Sequence, residues 1–154
     1  MYKLDLVEKQ ILKILQEDST ITIKEMAKAL NLSTTPVFDR IKRMERAGII
    51  KGYVAIVDGK SIGKSLIVFI NISINKHGRN AINEFVDAII AFPEVQECHH
   101  ISGDADFLLK LVMEDIEAYN QFILDKLSVL PNIGKVESRF SLSERKSTNA
   151  VVLD

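Results

Sequence analysis

The sequence predicts an α+β protein of two domains, in which three short helices precede a β-α-β-β-α-β region. Two observations lead to this fold class. In the first third of the 154 residues, apolar side chains recur at helical spacing and are interrupted by helix-capping residues. In the rest of the chain, runs rich in β-branched and aromatic residues alternate with helical segments. We therefore expect two small hydrophobic cores.

The first two helices are predicted from their start signals. Asp5 and Glu8 form a cap-and-return pair, and Thr22 and Glu25 form a capping box, so that each pair satisfies N–H groups at a helix start. Asn31 is suited to the left-handed turn that ends the second helix.

A third helix is predicted to begin at Ser33 as its cap, with Pro36 in the first turn, and to end at Gly48. Its buried stripe recurs at i, i+4 and i+7 and consists of Val37, Ile41 and Met44. The segment 49–57 is rich in β-branched and aromatic residues and predicts a strand.

The second region predicts four strands and two helices. They are a strand at 66–74, a helix at 80–91, a hairpin of strands 95–102 and 106–113, a helix capped by Asp115, and a strand at 136–142. Two crossover helices on one antiparallel sheet form the ferredoxin-like arrangement. The predicted domains are therefore a winged-type helix-turn-helix at 1–50, a linker strand and hinge at 51–64, and a ferredoxin-like βαββαβ domain at 65–154.

Helix, turn and capped helix with a polar outer face is the helix-turn-helix pattern, whose second helix reads bases in the DNA major groove. Here that helix carries hydroxyls at its leading end, Phe38 to pack on a thymine methyl, and cations for phosphates. The candidate DNA-binding residues are Ser33, Thr34, Thr35, Phe38, Arg40, Lys42, Arg43 and Arg46. For Asp39, contact with a cytosine amine, pairing with Arg43 and simple solvation all stay open.

The charge distribution agrees with this placement. Residues 1–60 hold 11 Lys and Arg against 8 Asp and Glu, whereas residues 61–154 hold 9 against 13. The basic surplus therefore lies in the predicted DNA reader, which favours a polyanion partner. The alternative is an ordinary three-helix bundle with a solvated basic face.

Composition predicts a soluble globular protein, with 47% hydrophobic and 27% charged residues. The longest apolar run, Leu66 to Ile70, is far shorter than the roughly 20 residues that span a bilayer, and no signal-peptide pattern begins the chain. The single cysteine, Cys98, excludes an intrachain disulfide framework and fits a reducing cytoplasm.

Two segments of the chain resemble the Lrp/AsnC family, the feast/famine regulators. The reader segment LSTTPVFDRIKRME (residues 32–45), running into GIIKGY (48–53), is similar to that family's recognition helix and exit. VQEC (95–98) followed by SGDADFLLK (102–110) resembles its ligand-sensing domain. Leu4-Asp5 with Ile11-Leu12 matches the family's first helix, so the resemblance covers essentially the whole chain.

The resemblance implies a bacterial or archaeal transcription regulator that binds double-stranded DNA and forms homodimers through its sheet, often gathered into octamers. It implies that the strand after the reader helps to hold the dimer, and that an amino-acid effector binds between subunits near the Gly-Asp-x-Asp turn. Carried over, the effector-binding residues are Gly103, Asp104, Asp106 and Ser138. The family commonly has an aromatic residue where this chain has Ala105.

Other sites were weighed on the same residues. Cys98 and His100 share one side of a strand and His99 takes the other, so too few ligands converge for zinc, and no metal, cofactor or catalytic residue is predicted. The enzyme alternative is a haem-pathway decarboxylase that would use His99, His100 and Arg139 around a tetrapyrrole carboxylate. A third alternative is a sensing domain that has lost DNA binding.

Overall fold

A computed structural model describes residues 2–154; Met1, with which the predicted reader domain begins, lies outside the described residues. By packing, the chain divides into two units. One comprises residues 2–56 together with Lys146–Asp154, and the other comprises Val57–Arg145. The tail, which the sequence analysis assigned to the 65–154 segment, thus packs with the first unit.

Three helices form the first unit: α1 (Leu6–Glu17), α2 (Ile23–Ala29) and α3 (Thr34–Arg46). The two predicted capping boxes are confirmed at the starts of α1 and α2. Asn31 has a φ of 53°, the left-handed conformation predicted for the end of α2. The fully buried core residues are Ile11, Met26, Val37 and Met44, with Ala27 and Ile41 close to fully buried.

Ser33 occupies the N-cap position of α3, but its side chain makes no capping hydrogen bond. The expected cap is wrong in this detail for a local reason. An N-cap hydroxyl accepts from the second or third helical N–H, and because the third residue here is Pro36, which has none, only the Thr35 N–H remains as a donor. The Ser33 hydroxyl is therefore left exposed at the start of α3.

The segment 49–57 is not a strand, which corrects the sequence prediction. A strand needs a neighbour to complete its hydrogen-bond ladder, and none of the strands described in residues 2–154 pairs with this segment. Ile49 and Ile50 pack against the core of the first unit, whereas the later β-forming side chains are exposed, namely Tyr53, Val54, Ile56 and Val57.

The contacts that bring the tail to the first unit come from α1. The Gln16 amide both accepts from the Val151 N–H at 2.6 Å and donates to the Val151 carbonyl at 3.2 Å. Nearer the start of α1, the Lys9 side chain donates to a main-chain oxygen of Asp154. An amide side chain thus pairs with main chain in the way that a neighbouring strand would.

The second unit is a four-stranded antiparallel sheet with two crossover helices. After a 3-10 turn at Lys60–Ile62, its elements are β1 (Leu66–Ile74), α4 (Arg79–Ile90), β2 (Val95–His100), β3 (Phe107–Met113), α5 (Ile116–Phe122) and β4 (Ile133–Phe140). The strand order is β2-β3-β1-β4, which confirms the predicted ferredoxin-like arrangement. A π-helical turn, Ile123–Leu127, extends α5.

The two faces of this sheet differ in burial. Val68, Ile70 and Ile72 of β1 are fully buried with Leu109 and Leu111 of β3, against side chains of α4 and α5 that include Phe85 and Phe122. Phe69, between them on β1, belongs to the opposite face and is exposed. None of the described helices is both long and apolar enough to cross a membrane.

Candidate DNA-reading and effector sites

The outer face of α3 is exposed as the helical period predicted. Phe38 is 47% exposed although it is a large apolar side chain. Ser33, Thr34 and Thr35 at the start of the helix are also exposed, as are Asp39, Lys42, Arg43 and Arg46. Arg40 is half-buried at the edge of this face, where the sequence placed it.

Two of the four cations have only local partners. Lys42 pairs with Glu45 at 2.7 Å and lies 5.7 Å from the centroid of the Phe38 ring. Arg46 donates from Nε to the Lys42 carbonyl at 3.2 Å, and no carboxylate pairs with it among residues 2–154. Since an exposed ion pair such as Lys42–Glu45 is worth little in water, both cations are available to a phosphate.

The other two cations are held by the start of α1. Arg40 Nε lies 3.3 Å from Asp5 Oδ2. Arg43 Nη2 lies 2.7 Å from Glu8 Oε1, and Arg43 Nε donates to the same oxygen at 3.1 Å and to the Tyr2 hydroxyl at 2.9 Å. The third helix of the reader is therefore tied to the start of the first through charged side chains.

Glu8 is the one buried charged residue among those described, with 1% of its surface exposed. Its Oε2 accepts from the Asp5 N–H at 2.9 Å, while its Oε1 accepts from Tyr2 and Arg43. Burial by itself would raise the pKa of Glu8, but the hydrogen bonds from Tyr2, the Asp5 N–H and Arg43 together leave that pKa below its usual value. Glu8 is therefore a buried carboxylate in its charged form.

The predicted effector turn follows β2. Gly103 has a φ of 123°, a backbone conformation that favours glycine, and an added Cβ would meet nothing within 4 Å. Asp104 is exposed and its side chain has no hydrogen-bond partner among the described residues. Asp106 differs: its Oδ2 accepts from the Ile74 N–H at 2.8 Å and its Oδ1 lies 3.0 Å from His77 Nε2.

The Asp106 carboxylate is thus part of the fold. The Ile74 N–H lowers the pKa of Asp106, and His77 lowers it further. Ile74 ends β1, so this bond caps the central strand where the ladder stops. The carboxylate therefore stabilises the end of the sheet.

Ser138 also has an internal partner. It lies opposite Ile70 in the register of β4 with β1, on the helix-covered face. Its hydroxyl accepts a hydrogen bond from the Tyr119 hydroxyl at 2.7 Å, and the Tyr119 ring packs edge-on against Phe140. Within residues 2–154, no hydrogen bond joins Ser138 to the Gly103–Asp106 turn.

The residues weighed for other chemistry are not brought together. His99 and His100 lie on opposite faces of β2, where His99 is 3.2 Å from Glu97 and His100 stacks on Phe107. Arg139 is on β4, at the other edge of the sheet. Among the described residues no group of three metal-ligating side chains forms.

Four residues with a place in these sites were missed from the sequence. Tyr2 and Glu8 hold Arg43, His77 contacts Asp106, and Tyr119 contacts Ser138. The sequence identified Glu8 as a capping residue. That role accounts for the hydrogen bond accepted by Oε2 but not for the bonds accepted by Oε1. The other partners are distant in sequence and left no local pattern.

Two family models match the chain and together span nearly all of it. "Lrp/AsnC ligand binding domain" matches residues 67–151, and "Winged helix-turn-helix DNA-binding" matches residues 4–51. The chain belongs to the Lrp/AsnC family. It is a DNA-binding regulator of this family with a ligand-binding domain, as the sequence predicted.

Relatives in this family include the leucine-responsive regulatory proteins of Klebsiella pneumoniae and Escherichia coli strain K12. Each is 35% identical over 150 residues, which cover 97% of this chain and 92% of the relative. These Lrp/AsnC relatives are named as regulators and not as enzymes, which agrees with the prediction of a non-enzymatic protein.

Solved structures match nearly the whole length of the chain. An AsnC family transcriptional regulator from Agrobacterium tumefaciens is 36% identical with a TM-score of 0.92, covering 97% of each chain. A transcriptional regulator from Neisseria meningitidis, solved as an L-Met complex, is 32% identical with a TM-score of 0.93, covering 99% of this chain and 98% of that one. The AsnC of E. coli, at 22% identity and a TM-score of 0.89, shares the fold.

Proposed function

We propose that this regulator reads DNA with the outer face of α3, acting in a prokaryotic cytoplasm as a homodimer whose affinity responds to an amino acid. The observation that carries the proposal is the exposed Phe38 among hydroxyls and cations on the second helix of a helix-turn-helix. The centroid of the Phe38 ring lies 5.7 Å from Lys42 Nζ, so this face combines an apolar group suited to a thymine methyl with cations suited to phosphates.

Each part of the α3 face has a proposed role. Thr34 and Thr35 lie in the first turn, which enters the major groove first, and Phe38 packs on a thymine methyl. The Ser33 hydroxyl, free of a capping bond, is a further donor for a phosphate or base. Lys42 and Arg46 contact phosphates, joined by Arg40 and Arg43 from their anchored positions.

Two uncovered surfaces support the proposal of a homodimer. The sheet face opposite the helices carries Ile67, Phe69, Leu108 and Val112, which a second copy would bury. The segment 51–58 has β-forming side chains and no partner strand within the described chain, so pairing with its counterpart in the second copy would complete it. Two α3 helices would then read half-sites about one helical turn apart, and octamers would gather such dimers.

The effector we propose is an amino acid bound between subunits at the Gly103–Asp106 turn. The solved Neisseria meningitidis relative contains L-Met. Asp104 supplies an exposed, unpartnered carboxylate for an ammonium group, and Gly103 allows close approach of a carboxylate to backbone N–H groups. Asp106 and Ser138 already make hydrogen bonds within the fold, so any contact of theirs with the effector would be additional to those bonds.

The test of DNA reading is selection of bound duplexes from a random pool, followed by titration of the best duplex at several salt concentrations. We expect a pseudo-palindromic consensus and an affinity that falls with salt, because cation–phosphate contacts release counterions. Phe38→Ala should alter the selected consensus more than the affinity. Recovery of no consensus, or an unchanged consensus with Phe38→Ala, would overturn the assignment of this face.

The effector is tested by repeating the selection with and without a panel of amino acids and by measuring thermal shifts with L-methionine first. We expect an amino-acid-induced shift that Asp104→Ala abolishes. Asp87→Ala removes an exposed carboxylate from α4 and is the matched control, which should leave the shift intact. A shift that survives Asp104→Ala would move the ligand elsewhere.

A further inference from the structure

Arg43 is the only cation on the outer face of α3 whose guanidinium is anchored by a buried acid within the described residues. Glu8 holds it through Nε and Nη2, and Tyr2 holds it through Nε. Despite these bonds, the Arg43 side chain remains 53% exposed, whereas that of Glu8 is 2% exposed. The anchor therefore lies beneath the guanidinium and leaves its outer edge in solvent.

This arrangement leaves donors for a ligand. A guanidinium has five N–H donors, and the internal bonds use Nε and one side of Nη2. Within residues 2–154, no acceptor lies in hydrogen-bond distance of Nη1. An arginine fixed on one edge and open on the other can meet a phosphate with little further loss of side-chain freedom.

We infer that Glu8 is a positioning residue for DNA binding, which acts by holding the Arg43 guanidinium in the orientation that meets a backbone phosphate. The inference rests on the proposed function, because it assumes that the α3 face contacts DNA. It extends the reading surface to a buried residue of α1 that touches no nucleic acid. Tyr2 completes the same anchor through its hydroxyl.

Charge and positioning predict opposite changes in DNA affinity, so the direction of the change tests this inference. Glu8→Gln removes one negative charge from a DNA-binding unit, and charge alone then predicts tighter DNA binding. A positioning role predicts weaker binding, since the neutral amide no longer fixes Arg43. The two accounts thus disagree on the direction of the change.

The experiment is a double-mutant cycle on the full-length protein, with the duplex selected by wild type as probe. We expect Arg43→Ala to weaken binding about tenfold and to lower the salt slope by about one per protomer. Glu8→Gln should weaken binding about threefold in wild type and change it by less than about 1.5-fold when Arg43 is already alanine. Circular dichroism of each variant gives the folded fraction used to correct the affinities.

Glu17→Gln is the matched control, since it makes the same charge change at an exposed position of the same helix. It should bind DNA as tightly as wild type or slightly more tightly. Tighter binding by Glu8→Gln, equal to that of Glu17→Gln, would overturn the inference. So would an equal loss in both Arg43 backgrounds, because a merely structural Glu8 would weaken every variant alike.

Two further variants keep the test decisive if Glu8→Gln fails to fold. Glu8→Asp retains the charge and should bind DNA more tightly than Glu8→Gln. If Glu8→Gln does not fold, the comparison is with Arg43→Ala, and Glu8→Asp should bind more tightly than that variant. Tyr2→Phe removes only the hydroxyl that contacts both Glu8 and Arg43, and its smaller loss of affinity should also vanish when Arg43 is alanine. A loss from Tyr2→Phe that persists with Arg43→Ala contradicts the anchor. Failure of wild type to select any duplex would instead contradict the proposed function.

Discussion

The outer face of α3 and the Gly103–Asp106 turn are both predicted from sequence as sites, yet the fold uses their side chains differently. On α3, Phe38, Lys42 and Arg46 reach solvent and make only local contacts. At the turn, Asp106 caps the end of β1. The same kind of polar residue is available to a partner in one region and is committed to the fold in the other.

The difference teaches that the residues of a sequence motif need not share one role. Within the turn, Asp104 is exposed without a side-chain partner, whereas Asp106 is bound by a main-chain N–H and a histidine. On α3, Arg46 is open to solvent but Arg43 is fixed by a buried acid. A substitution can therefore separate stability from binding in each region.

The largest effect on stability is expected for Asp106→Ala. It leaves the Ile74 N–H without its acceptor and removes the partner of His77, and we expect a loss of about 2 kcal/mol in the free energy of unfolding. Urea denaturation measures it. Asp104→Ala is the control and should change stability by less than about 0.5 kcal/mol. Equal losses in the two variants would remove the distinction within the turn.

Arg46→Ala should show the reverse behaviour. We expect DNA affinity to fall about tenfold for all sequences with a flatter salt slope, because one phosphate contact per protomer is lost. Stability should change by less than about 0.5 kcal/mol. Fluorescence anisotropy and urea denaturation measure the two quantities, and Lys13→Ala, an equal charge change on the exposed side of α1, is the control. Similar affinities of Arg46→Ala and Lys13→Ala would place the DNA on another face.

Ser138→Ala should cost about 1 kcal/mol of stability by removing the acceptor of the Tyr119 hydroxyl. Tyr119→Phe breaks the same bond. The double variant should therefore lose less stability than the sum of the two single losses. The L-methionine-induced thermal shift should persist in Ser138→Ala. If the shift disappears while stability is unchanged, Ser138 is a ligand contact instead.

The smallest expected effect is a loss of stability of the reader at low pH. Hydrogen bonds lower the pKa of Glu8 despite its burial, and the Glu8 N–H lowers the pKa of Asp5. Because both values lie below the usual 4.5 for Glu and 3.8 for Asp, the folded state binds these protons less readily than the unfolded state. The stabilisation is thus complete above those values and is lost as pH falls through the lowered ones. Thermal unfolding from pH 7 to pH 3 should show a shallower acid limb in Glu8→Gln than in wild type.

Local signals allowed much of the fold to be predicted. Capping boxes at Asp5 and Thr22 and the bounds of β1 agree with the structure, since caps and alternation depend on neighbouring residues. The last strand begins three residues earlier than predicted because its ends follow pairing, with Ile133 opposite Ile74. The segment 49–57 fails as a strand for the same reason: pairing is a property of two segments.

The candidate sites divide in the same way. The helical period alone identified which α3 side chains face outward, including Phe38 and Arg46. It could not show that Arg43 meets Glu8, 35 residues earlier, or that His77 meets Asp106, 29 residues later. Exposure along one helix follows from geometry within that helix, whereas these contacts exist only after the elements have packed.

The tail that pairs with Gln16 has a consequence for the plan of the molecule. Since Lys146–Asp154 packs with residues 2–56, two separate segments of the chain build the packed unit that contains the reader helices. Two covalent connections, entering at Val57 and leaving after Arg145, join the units. A reader fragment cut at residue 56 would lose part of its own structure, and a faithful isolated version would need the nine-residue tail grafted back by a short linker.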